Sequence, residues 1–164
     1  MIGDGDAPRR AQRELERALG IEDEVAWGES REGRILKTWM SLSTYAHGAA
    51  RVIKSNDYDD FDFLLLTKPG LPLCYVEVKV RRTGFGKYGD AIFPMRKHEF
   101  AKQLSRHKLP FVGVTLYGDG TLVEVDLTKA PSSQRDITRR DRPGMKPVPH
   151  GFYSKRQLTV LTAE

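Results

Sequence analysis

The sequence predicts an α/β sandwich in which a central mixed sheet of about five strands is flanked by helices. Three observations predict it. An amphipathic segment near residues 30–46 precedes three apolar runs that follow one another closely. A second amphipathic segment, 94–107, separates those runs from two more. A helix between strands in this order suits a crossover back onto the same sheet.

The elements follow in chain order. Residues 1–8 are predicted to be disordered, and RRAQRELERAL, 9–19, reads as a short helix closed by Gly20. The helix over 30–46 takes Ser30 as its N-cap and Gly33 as a weak point. Ile35, Leu36, Trp39 and Met40 give it a buried face, and Glu32 falls on that face, with Glu29 one turn earlier. ARVIKS, 50–55, is a strand, and 60–67 and 73–80 are stronger ones joined by the turn TKPGLP. RRTGFGKYGDAI, 81–92, reads as a glycine-rich loop, and Pro94 opens the second helix. FVGVTLY, 111–117, and TLVEVDL, 121–127, form a hairpin through Gly118-Asp119-Gly120. Past Lys129 the chain turns rich in Pro, Arg and Ser and reads as an extended basic segment, with FYSKRQLTVL as a last edge strand. The expected organisation is an arm over 1–28, a core over 29–127 and a basic extension over 128–164.

Composition excludes some classes. The chain of 164 residues is 39% hydrophobic and 30% charged, enough for one domain with a sizeable core. No apolar run reaches the roughly 20 residues that span a bilayer, and the N-terminal stretch has no signal-peptide core. With the single cysteine, Cys74, in an apolar strand, the expectation is a cytoplasmic protein with a core thiol. The four histidines have no metal-ligand spacing, so zinc is not expected. Net charge is +5, unevenly spread: residues 1–80 hold 11 basic and 14 acidic side chains, residues 81–164 hold 16 and 8. A basic half beside an acidic cluster suits a phosphate-binding surface around a metal.

That cluster lies in DYDDFDFLLLTKPGLPLCYVEVKVRR, 57–82. With Pro69-Gly70 at the centre of the turn, paired positions sum to 139. Asp62 then faces Glu77, and Asp60 faces Lys79, on one side of the hairpin. Phe61, Phe63, Leu65, Val76, Val78 and Val80 take the core side. Adjacent carboxylates repel, and burial raises the cost. Lys79 offsets one charge, and a divalent cation would offset the rest. Mg²⁺ binds through one or two carboxylates, with water and phosphate completing its shell. Asp62 and Glu77 would supply the carboxylates and Val78 a backbone carbonyl, while Lys79 would orient a water or steady charge on phosphate. This chemistry cleaves phosphodiesters.

The pattern D…E-V-K on two adjacent strands, after a glutamate-bearing helix and before a crossover helix, resembles the PD-(D/E)xK nuclease superfamily. DFDFLLL followed by YVEVKVRR is similar to the core hairpin of its Holliday-junction-resolvase-like members. The triplet alone is a weak signal, since about 1.5 such triplets are expected by chance in this composition. Its context carries the weight, over about residues 29–127. The resemblance implies a restriction-endonuclease-like fold and Mg²⁺- or Mn²⁺-dependent cleavage of DNA. It places the metal-binding Asp on Asp62, the (D/E) on Glu77 and the Lys on Lys79, with a helix glutamate at Glu32 or Glu29. Phe61 stands where the family has proline, and Asp57, Asp59 and Asp60 compete for the Asp role. Junction resolution would further imply a homodimer with two sites.

Other charges suggest where DNA would lie. Arg81, Arg82 and Lys87 line the glycine-rich loop, with Phe85 and Tyr88 as rings to stack on bases. Arg96, Lys97, Lys102 and Arg106 lie on the second helix, and the family's basic or amide residue near the metal would be Lys97 or Gln103. Arg139, Arg140 and Arg142 extend the basic surface into the tail. A competing class is a nucleic-acid-binding protein on the same scaffold without catalysis.

Overall fold

Ser30 begins the first helix as the sequence predicts. Its hydroxyl oxygen accepts the Gly33 N–H at 3.0 Å, and α1 runs over Arg31–Leu42. The helix stops short of residue 46 because Ser43 turns the chain: its N–H still reaches the Trp39 carbonyl, while its hydroxyl accepts the Tyr45 N–H and opens a 3₁₀ turn, Thr44–Ala46. Gly33, Ile35, Leu36 and Trp39 are buried, and Glu32 is exposed. The apolar stripe is thus rotated away from Glu32, which does not share the buried face. The computed structural model describes residues 30–56, 59–139 and 144–162. The predicted arm helix, Glu29, Asp57, Arg140 and Arg142 lie outside the described residues.

Three strands follow as an antiparallel meander: β1 (Arg51–Lys54), β2 (Phe63–Leu66) and β3 (Pro72–Val80). Gly70 takes φ +90° in the turn between β2 and β3, a conformation that suits glycine. Phe63 pairs with Val76, Leu64 with Tyr75 and Leu65 with Cys74, the register whose positions sum to 139, before a bulge shifts Leu66 onto Pro72. A crossover containing α2 (Phe85–Tyr88), β4 (Asp90–Pro94) and α3 (Met95–Ser105) leads to β5 (Phe111–Leu116), which lies parallel to β3. β6 (Leu122–Asp126) returns antiparallel. Then come β7 (Ser133–Ile137), β8 (Val148–Ser154), a 3₁₀ turn (Lys155–Gln157) and β9 (Leu158–Val160).

These strands form a six-stranded mixed sheet, β1-β2-β3-β5-β6-β9, and a three-stranded antiparallel sheet, β4-β8-β7. The main sheet has one strand more than predicted, because the edge strand β9 pairs with β6. The small sheet corrects the sequence reading twice. Residues 81–92 are not all loop, and 129–150 are not simply extended: α2, β4, β7 and β8 lie there. β4 pairs with a strand more than fifty residues away, Ala91 with Tyr153. Such short strands carry no local partner from which to be recognised.

Both faces of the main sheet are covered. Under α1, Leu36 and Trp39 pack with Phe63, Leu65, Val76, Val78, Val112 and Val114. On the other face, α3 and the small sheet close a second core that includes Phe93, Ala101, Leu104, Phe111, Leu127 and Tyr153. Along β3, Cys74, Val76 and Val78 serve the first core, so the alternate positions Tyr75 and Glu77 turn toward α3. Among the described residues no helix is long and apolar enough to cross a membrane.

Candidate functional site

β3 runs past the ladder it shares with β2, and the site forms there. The chain enters β2 through Asp62, whose N–H reaches the Val76 carbonyl at 3.0 Å and whose Oδ2 accepts the Val78 N–H at 2.8 Å. The side chain thus takes the place of a missing strand partner. Phe61 does not share the side of Phe63 and Leu65, as alternation predicted. Its ring packs with Tyr75 and Phe100 on the α3 side, because the strand begins only at Phe63. Asp60 therefore lies before the ladder and has no strand pairing with Lys79, and its carbonyl accepts a hydrogen bond from Lys97 instead.

Glu77 is the centre of the site. It is 4% exposed, beside Gly113 of β5. A Cβ on Gly113 would come within 2.5 Å of the Phe93 ring, so Phe93 seals this strand directly. Lys97 Nζ lies 3.2 Å from Glu77 Oε2, and its side chain is 3% exposed. The same ammonium donates to the Asp60 carbonyl at 2.8 Å. Lys79 Nζ lies 3.7 Å from Oε1, with its side chain 41% exposed. Burial, and then the nearby Asp62 charge, push the Glu77 carboxyl up to about 7, against the opposing pull of Lys97 and Lys79. At neutral pH it is poised between protonated and ionised forms.

Two buried polar atoms in this region lack hydrogen-bond partners, Glu77 Oε2 and Thr115 Oγ1. The Lys97 ammonium is within ion-pair range of Oε2, but the alignment falls short of a hydrogen bond. Thr115 pairs with Lys79 between β5 and β3, so its side chain shares the face of Glu77 and Lys79. A buried oxygen with unused lone pairs beside a second carboxylate suits a hard cation. The acidic set is small: among the described residues no three or more His, Cys, Asp or Glu side chains group to hold a metal. A cation here would rest on Asp62, Glu77, backbone oxygen and water.

The structure brings Asp62, Glu77 and Lys79 together and adds Lys97. It does not bring Glu32, because α1 packs on the opposite face of the sheet. Lys97 is no solvated backbone contact. The sequence signal was its place on the buried stripe of α3, four residues before Ala101 and seven before Leu104, all three buried. Gln103 lies off that stripe and is exposed. Thr115 was missed, although a hydroxyl in FVGVTL is the one polar side chain of that strand.

Arg82, Lys87, Arg96, Lys102, Arg106 and Arg139 are exposed, as backbone contacts would need. Arg81 is committed to Asp90, with Nη1 2.9 Å from Oδ1 and donating to the carbonyl at 3.0 Å. Phe85 packs against Tyr117 at 5.1 Å with Lys155 over its ring, so it does not offer a face for stacking as expected. The Tyr88 side chain lies outside the described residues.

No family model matches the chain, and neither a curated protein nor a solved structure matches it significantly.

Proposed function

We propose that the protein is a metal-dependent DNA nuclease of the PD-(D/E)xK kind, with a restriction-endonuclease-like core, hydrolysing phosphodiester bonds. The observation that carries the reading is Glu77, a buried carboxylate next to Asp62 and within reach of two lysines. The order of helix, three-stranded meander, crossover helix and parallel strand supports it. So does the exposed basic surface of the second half of the chain.

Mg²⁺ or Mn²⁺ would be held by Asp62, Glu77 and the Val78 carbonyl, and when bound would stabilise phosphate charge and acidify a water. Asp62 is pre-positioned by its bond to the Val78 N–H. Glu77 would bind the cation as the ionised carboxylate, so the proton it holds up to about 7 in metal-free protein has to leave on binding. Lys79, the more exposed ammonium, would orient the attacking water or meet the charge of the transition state. Lys97, sealed within the fold, balances Glu77 and ties α3 to the loop before β2 through Asp60.

A second reading is a nucleic-acid-binding protein without catalysis. The Lys97 ion pair favours it, because it compensates Glu77 with no metal. The test incubates plasmid, single-stranded and branched DNA with the protein in Mg²⁺, in Mn²⁺ and in chelator. The enzyme cuts only with metal, whereas the binder only retards mobility. Asp62→Asn, Glu77→Gln and Lys79→Ala should each lower cleavage by about 100-fold or more. Lys79→Ala should keep metal affinity, and the other two should lose it. Full activity of Glu77→Gln would remove this site from the reaction.

A further inference from the structure

We propose that the outer face of the small sheet is a nucleobase pocket for a nucleotide flanking the scissile phosphate, with guanine as its best-matched base. The proposal deepens the nuclease reading and rests on it for the position of the scissile phosphate. The inner face of the sheet, Ala91, Phe93 and Tyr153, is spent on the second core. Strand alternation turns Asp90 and Ile92 of β4 and Phe152 of β8 the other way. Phe152 pairs with Ser133 of β7, so Arg135 and Ile137 share that outer face. These side chains, with Asp136, line a pocket of about 380 Å³ that Arg81 closes from the end of β3. The volume is within the range of small-ligand sites.

Position ties the pocket to the catalytic strand. Glu77, Lys79 and Arg81 are alternate residues of one chain segment, so Arg81 stands about 13 Å from Glu77 along the strand. That is the reach of a neighbouring nucleotide.

The lining selects a base over a bare anion. Arg81 is fixed by its ion pair to Asp90, and the Tyr117 hydroxyl donates to the same Asp90 carbonyl. The Arg135 guanidinium lies 4.2 Å from the centroid of the Phe152 ring, and among the described residues it has no carboxylate partner. Its N–H fork is available to a ligand. A phosphate alone would face the Asp90 carboxylate. A flat base would instead lie in the plane of the Arg135 guanidinium, with its faces against Ile92 and Ile137. Guanine matches the polar groups best: O6 and N7 accept from an arginine fork, and its exocyclic amine donates to a carboxylate.

The experiment titrates the full chain, in chelator, with each of the four deoxynucleoside 5′-monophosphates and with inorganic phosphate, following backbone amide shifts by NMR. The expected result is tightest binding of dGMP, with shifts at Ile92, Arg135 and Phe152. Arg135→Gln, at an exposed position, should fold as the parent and weaken dGMP by about tenfold. Arg135→Lys should lose the preference for guanine, since it keeps the charge without the fork. Equal binding of all four nucleotides and phosphate would make this a plain anion site and overturn the proposal, as would no binding or an indifferent Arg135→Gln. The two readings fail separately. Without cleavage of any DNA but with guanine-selective binding, the pocket stands and the nuclease falls. With cleavage but no base selectivity, the nuclease stands and the pocket falls.

Discussion

Glu77 sets how the molecule should respond to pH. An unfolded glutamate ionises near 4.5, whereas the folded chain holds the Glu77 proton up to about 7, chiefly through burial and then through Asp62. Between these values the folded state binds more protons than the unfolded one, so stability falls as pH rises. The loss begins above about 4.5 and is complete above about 7. Its size in metal-free protein is on the order of 3 kcal/mol. Glu77→Gln has no proton to release and should lack this part of the slope. Urea melts from pH 4.5 to 8 in chelator check it, and identical slopes for parent and variant would show that Glu77 ionises normally. Added Mg²⁺ should restore stability to the parent at pH 8 and not to Glu77→Gln, because a ligand of the folded state alone stabilises by mass action.

At the level of elements, the junction of β2 and β3 allows a structural task of Asp62 to be separated from the chemical one proposed for it. Its Oδ2 accepts the Val78 N–H where the ladder has run out. Asp62→Asn keeps an oxygen acceptor and should cost little stability, while Asp62→Ala leaves that N–H unpaired at a cost of about 1 kcal/mol. Both lose the charge, so both should lose cleavage. Stability and cleavage measured on the same two variants separate the roles, and an Asp62→Ala protein as stable as the parent would show that water replaces the carboxylate. The hairpin was legible in the sequence because Pro69-Gly70 fixes the register, and through it the neighbourhood of Asp62 and Glu77. The bend at Asp62 was not legible. Strict alternation carried Phe61 to the wrong core and paired Asp60 with Lys79, since nothing local tells where a strand stops. Glu32 failed for a related reason: the stripe Ile35, Leu36 and Trp39 fixes how α1 packs, but the side of the sheet it covers is a property of the whole fold.

Across the whole molecule, the described residues beyond Thr128 are structural, within a stretch that is also basic. β8 holds β4 and places Tyr153 in the second core, and β9 pairs with β6 at the edge of the main sheet. The sequence set 128–164 apart as an extension because its Pro and Arg content hides strands that only distant partners stabilise. Removing residues 129–164 would therefore unfold the second core and say nothing about DNA. Charge reversal answers the question without that loss. Arg139 is exposed, and Arg140 and Arg142 continue the same basic run. Each phosphate neutralised by a basic side chain releases counterions, so the slope of log affinity against log salt measures the number of contacts, at about 0.9 per phosphate on duplex DNA. The variant Arg139→Glu, Arg140→Glu, Arg142→Glu should bind duplex DNA more weakly at low salt, with a slope shallower by about 2 to 3 if all three touch phosphate. It should weaken all sequences alike, because backbone contacts position the duplex without reading it. Its pH dependence of stability should match the parent, since Glu77 is untouched. Binding measured by anisotropy from 50 to 200 mM salt decides the matter, and an unchanged slope would take this run off the DNA surface.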